Sequence, residues 1–125
     1  MSDPRHRLGR TAEEAVADWL IRAGWTILER RLRAGAGGEV DLIALDRTGT
    51  LVALEVRARR TDRTGAAATT VDRRRIRRLE LTLVAFASRR TVSHRGLRID
   101  LVTVEPMPGG RRIWRLARIP RVGER

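Results

Sequence analysis

Apolar residues at Ala12, Val16, Trp19, Leu20 and Ala23 recur at spacings of three and four, which predicts an amphipathic helix with one buried stripe. Thr11-Ala-Glu-Glu14 fits a capping box, so the helix is expected to start at Thr11, and Gly24 supplies its stop. At 100° per residue Glu14 lies opposite the stripe, whereas Glu13 sits about 80° from its centre and looks along the core edge.

Strand-like runs follow. Trp25 to Leu28 begins a strand of mixed character, ahead of the basic run Arg30-Arg-Leu-Arg33 and the glycine-rich Gly35-Ala-Gly-Gly38. Glu39 to Leu45 and Leu51 to Arg57 are apolar runs joined by Asp46-Arg-Thr-Gly-Thr50 and read as a hairpin. Thr61 to Thr70 is small and polar, a loop and a candidate mobile flap. Asp72 is the expected cap of a second helix whose stripe is Ile76, Leu79, Leu83 and Phe86. Leu97 to Glu105 and Arg112 to Ile119 are the last two strands, separated by the turn Pro106-Met-Pro-Gly-Gly110. The order α-β-β-β-α-β-β predicts an α/β domain with a central mixed sheet flanked by helices.

Composition sharpens this picture. A chain of 125 residues is expected to form one domain, 1–125, with flexible ends at residues 1–8 and 120–125. Arginine and lysine together number 27 against 15 acidic residues, and every one of the 27 is arginine. The net charge of +12 favours a polyanionic partner, nucleic acid before a membrane surface. The absence of cysteine excludes disulfides, thiolate metal sites and cysteine nucleophiles. No stretch approaches the roughly 18 apolar residues of a membrane span, and the start of the chain has no apolar leader segment, so a cytoplasmic location is expected. Oligomeric state is not legible.

The hairpin register yields candidate chemistry. If Leu45 pairs with Leu51, then Asp41 falls opposite Glu55 and Glu39 opposite Arg57, each pair on one face. Two carboxylates so close repel, and a hard divalent cation such as Mg2+ or Mn2+ removes that cost. The alternative is a pair of solvated acids, each with an arginine partner. Phosphodiester hydrolysis needs a metal to polarise the phosphate and a cation to stabilise developing charge, which is a role for Arg57. Arg73, Arg74, Arg75, Arg77 and Arg78 crowd the first turns of the second helix, against the dipole preference, and are candidates for contacting a phosphate backbone.

Leu8-Gly9, Glu13, Gly24, Gly38-Glu-Val-Asp-Leu-Ile43, Leu54-Glu-Val-Arg57, Val71, the arginine-rich helix start and Arg98-Ile-Asp100 together resemble the YraN-type family of small bacterial proteins. That family falls in the restriction-endonuclease-like nuclease superfamily, and the resemblance covers Leu8 to Glu105. It implies a restriction-endonuclease-like fold and a metal-dependent nuclease or nuclease-like protein acting on DNA. It also implies Glu13, Asp41 and Glu55 as metal ligands, with Asp41, Glu55 and Arg57 as the catalytic set. Arg57 and Arg75 stand where the family has lysine, and arginine cannot lose its proton to act as a base. A noncatalytic nucleic-acid-binding or adaptor module therefore remains the alternative, with an RNA-associated protein as a third reading.

Overall fold

Pro4 begins the first helix, well ahead of the expected cap: α1 spans Pro4–Arg22 in the computed structural model, which describes residues 4–33, 39–58, 72–106 and 114–122. Proline suits a first turn because its φ is preset and its missing N–H would have no partner there. Thr11 is therefore an interior helical residue and not a cap. The end of α1 matches expectation. The Gly24 amide donates to the Ile21 carbonyl and the Trp25 amide to that of Leu20, a Schellman pattern that Gly24 closes at φ 92°.

The remaining elements are β1 (Thr26–Arg33), β2 (Glu39–Leu45), β3 (Leu51–Ala58), α2 (Arg73–Arg90), β4 (Leu97–Pro106) and β5 (Trp114–Ile119). Their order is the predicted one. The strands form a five-stranded sheet in the order β1-β2-β3-β4-β5, antiparallel throughout except for the parallel β3·β4 pair joined through α2. The basic run Arg30–Arg33 belongs to β1, where an edge position lets arginine side chains reach water while the backbone pairs on one side.

One helix covers each face. On the first, Ala12, Val16, Ala17 and Leu20 of α1 pack on Leu42, Ala44, Val52, Leu54, Val102 and Val104. On the second, Leu79, Leu83 and Phe86 of α2 pack on Val40, Ile43, Leu51, Ala53 and Ile99. This alternation along β3 and β4 is what a sheet buried on both sides requires. Asp72 caps α2 as expected, its carboxylate accepting from the Arg75 amide at 2.8 Å. The glycine-rich loop at 35–38 and the candidate flap at 61–70 lie outside the described residues.

Candidate metal and nucleic-acid site

The pairing of β2 with β3 follows the predicted register from Leu45↔Leu51 to Leu42↔Leu54 and ends there. Alternation breaks at the same place, since Val40 packs on the α2 side and Leu42 on the α1 side. Asp41 and Glu55 are consequently not a ladder pair, and neither are Glu39 and Arg57. Asp41 Oδ2 instead accepts the Val56 amide at 2.7 Å, so a side chain takes the place of the missing strand-to-strand bond. Burial pushes the Asp41 carboxyl up to about 7, with the negative charges of Glu55 and Glu13 acting in the same direction; the Val56 amide and Arg75 oppose them.

Around Asp41 the acids sort differently from the expected set. Glu13 of α1, Glu39 and Asp41 each place one carboxylate oxygen within 4.8 Å of the others. Glu55, the expected third ligand, is held by Arg75 of α2, whose Nε lies 2.7 Å and Nη2 3.3 Å from its two oxygens. Alternation explains the split: Glu55 shares the α2-facing parity of Leu51 and Ala53 on β3. Sequence counting placed Glu39 opposite Arg57 and did not single it out as a ligand.

Arg75 also donates to the Glu39 carbonyl through Nη2, so one guanidinium ties α2 to both β2 and β3. Its proton is held more firmly than in water, first through the hydrogen bond to Glu55. On the other flank, Arg31 of β1 donates from Nε to Glu13 Oε2 at 2.7 Å. Arg57 is half-buried two residues beyond Glu55 and pairs in register with Thr103 of β4. A cavity of about 290 Å³ opens beside the cluster between α1 and β1, lined by Glu13, Glu14, Arg30, Arg31 and Leu42.

Residues 12–104, from α1 to β4, match the family model described as uncharacterised protein family UPF0102. The chain belongs to UPF0102. A UPF0102 protein of Burkholderia pseudomallei strain 1710b is 39% identical over 107 residues, covering 86% of this chain and 71% of that protein. A UPF0102 protein of Symbiobacterium thermophilum is 38% identical over 110 residues, covering 88% of this chain and 92% of that one.

In this UPF0102 chain the five arginines at the start of α2 do not act alike. Arg73, Arg74, Arg77 and Arg78 are exposed, whereas Arg75 turns inward to Glu55. That inward pair is one reason the helix tolerates arginine at its positive end; the Asp72 cap is another. A second polar network centres on Asp100 of β4, which pairs in register with Leu54 of β3. Asp100 is fully buried and accepts from Arg98 Nε at 2.8 Å and Nη2 at 3.0 Å, from Arg118 at 2.9 Å and from the Arg121 amide at 3.1 Å. Arg98 reaches on to Asp46 at 2.9 Å, and the guanidiniums of Arg98 and Arg118 lie 5.8 and 5.3 Å from the Trp25 ring centre. This network ties the hairpin turn at Asp46 to β4 and to Arg118 of β5. Among the described residues no helix is long and apolar enough to cross a membrane.

Proposed function

We propose that this UPF0102 domain is a metal-dependent nuclease-type protein that acts on phosphodiester bonds of DNA. The observation that supports this reading is the convergence of Glu13, Glu39 and Asp41 beside a cavity edged by Arg30 and Arg31. Three carboxylates suit a hard cation such as Mg2+ or Mn2+. Ligand oxygens around one such ion are separated by up to roughly 4 to 5 Å, twice a metal–oxygen distance, and the cluster fits that range. A bound ion would polarise a phosphate oxygen and lower the pKa of a coordinated water. The protein's own groups would do the rest. Asp41, braced by the Val56 amide, holds the centre of the ligand set, and Arg57 neutralises charge on the phosphate. The exposed arginines Arg73, Arg74, Arg77 and Arg78 draw the DNA backbone to the surface without reading sequence.

A second reading rests on one specific observation. Glu55 is neutralised by its ion pair with Arg75, an arrangement suited to a nucleic-acid-binding or adaptor module that keeps the fold without cleaving. Cleavage of duplex, branched and single-stranded DNA and of RNA with Mg2+ or Mn2+ separates the two. Metal-dependent cleavage abolished in Asp41→Asn supports the nuclease; binding without cleavage on every substrate supports the module.

A further inference from the structure

Among the described residues, Arg31, Arg75 and Arg98 each pair with a carboxylate, and they are held very differently. Arg75 and Arg98 each make three hydrogen bonds, whereas Arg31 makes a single one, from Nε to Glu13. The Arg31 side chain is 39% exposed and that of Glu13 18%, so the pair borders solvent. Arg31 and Glu13 also both line the cavity between α1 and β1. The guanidinium therefore has room to leave.

The backbone is unusual at the same residue. Arg31 has φ 54°, a left-handed conformation inside a strand, where a residue with a Cβ carries a steric cost. The flanking pairs Arg30↔Leu42 and Leu32↔Val40 set it across from Asp41. The break in β1 thus coincides with the break in β2, and it sets a cation against the carboxylate cluster from the neighbouring strand. One positive charge cannot serve Glu13, Glu39 and Asp41 together, and the Arg31 contact engages only Glu13.

We propose that Arg31 is the resident counter-ion of this cluster, which a divalent cation displaces from Glu13 and so releases into the cavity toward a nucleic-acid phosphate. The inference rests on the metal reading above and adds regulation to it. Metal and nucleic acid then bind cooperatively, because the ion frees the group that takes the phosphate, and linkage makes the effect reciprocal. Arginine suits both partners, since its fork matches carboxylate and phosphate alike.

The test is calorimetric titration of Mn2+ into the full chain, for wild type, Arg31→Gln, Arg31→Lys and Asp41→Asn, with duplex DNA affinity measured with and without Mn2+. Arg31→Gln is expected to bind Mn2+ about two- to fivefold more tightly than wild type, the worth of a partly exposed ion pair. It is also expected to lose the Mn2+-induced gain in DNA affinity, while Arg31→Lys, which keeps the charge, stays nearer wild type. Unchanged or weaker Mn2+ binding in Arg31→Gln overturns the proposal and makes Arg31 a positioning residue for Glu13. A Mn2+-induced gain in DNA affinity as large in Arg31→Gln as in wild type also overturns it. If wild type binds Mn2+ and Asp41→Asn does not, the metal reading survives either result; if wild type and Arg31→Gln both fail to bind, both readings fall.

Discussion

Arg75 Nε lies 2.7 Å from Glu55 Oε2, so the carboxylate that strand counting assigns to the metal is paired with a guanidinium of α2. With side chains 24% and 12% exposed, the pair is partly shielded from solvent. Removing Arg75 leaves Glu55 and Asp41, whose negative charges already disfavour one another, without their shared cation. Arg75→Ala is expected to lower stability by about 1–3 kcal/mol, the cost of stranding a partly buried charged group. Arg75→Ala combined with Glu55→Gln is expected to recover part of that loss. Urea unfolding of the four proteins in the cycle gives the coupling, and additive losses would show that the contact is not formed in solution.

The same ion pair separates Arg75 from its neighbours in DNA binding. Alanine at Arg73, Arg74, Arg77 or Arg78 is expected to flatten the dependence of log affinity on log salt by about 0.9 for each phosphate that is no longer neutralised. Arg75→Ala is expected to leave the slope nearly unchanged. A slope altered by Arg75→Ala as much as by Arg74→Ala would place Arg75 on the phosphate backbone.

Much of this architecture is legible in the residues. Periodicity gives Ile76, Leu79, Leu83 and Phe86 as the buried stripe of α2, and all four are buried. Gly24, free of a Cβ, and Asp72, through its carboxylate, signal a helix stop and a helix cap because each acts within a few residues. Thr11 misleads for a related reason: a capping box is a local pattern, and Pro4 with the three arginines at positions 5, 7 and 10 favours continuing the helix through it. The candidate site is harder to read because it depends on where strands stop pairing. Register counting correctly pairs Leu42 with Leu54, yet local spacing gives no sign that the ladder ends there. The pairs Arg31 with Glu13 and Arg75 with Glu55 span 18 and 20 residues, so they become visible only when the helices are docked.

Asp41 gives the metal-free protein a distinctive pH dependence. Its carboxyl is pushed up from 3.8 to about 7, so the folded chain holds a proton that the unfolded chain has released over this range. By linkage, this group's contribution to stability falls as pH rises from about 4 to about 7 and is level above that. Asp41→Asn cannot ionise and is expected to lack the trend. The difference in urea midpoint between variant and wild type, measured at pH 4.5, 6 and 7.5 with a chelator present, should grow in favour of the variant toward pH 7.5. A constant difference would show that Asp41 titrates normally.

The network around Asp100 predicts a purely structural effect. Asp100 is fully buried with two arginines and a backbone amide as donors, so Asp100→Ala takes an acceptor from Arg118 and leaves Arg98 with Asp46 alone. The expected loss is about 1–3 kcal/mol, the cost of leaving buried donors without their acceptor. Asp46, whose burial alone would raise its carboxyl, is instead held down at about 2 by hydrogen bonds from Thr48, Arg98 and the Thr50 amide. Its stabilising contribution is complete above about pH 4 and is lost as pH falls through about 2. Mn2+ affinity, referred to the folded fraction, is expected to be unaffected by Asp100→Ala. Loss of metal affinity along with stability would show that the Asp100 network and the carboxylate cluster are coupled.

Residue 57 carries the decisive kinetic prediction, because the enzyme and binder readings diverge there. Arg57 sits on β3 two residues beyond Glu55, and as a permanent cation it can stabilise charge on a phosphate but cannot accept a proton. If the domain cleaves DNA with Arg57 in that role, Arg57→Lys is expected to retain or raise the single-turnover rate with Mn2+. Arg57→Ala should then cost about 3–4 kcal/mol of transition-state stabilisation, comparable to removing one preorganised donor. DNA affinity should change far less, since one phosphate among several is a small share of the electrostatic attraction. A binding module gives the opposite pattern: no cleavage in any of the three proteins and a modest affinity loss in Arg57→Ala alone. Calcium, which takes the same oxygen ligands, allows affinity to be measured apart from turnover. Equal affinity and no cleavage across wild type, Arg57→Lys and Arg57→Ala on every substrate would remove Arg57 from both readings and move the nucleic-acid contact to the exposed arginines of α2.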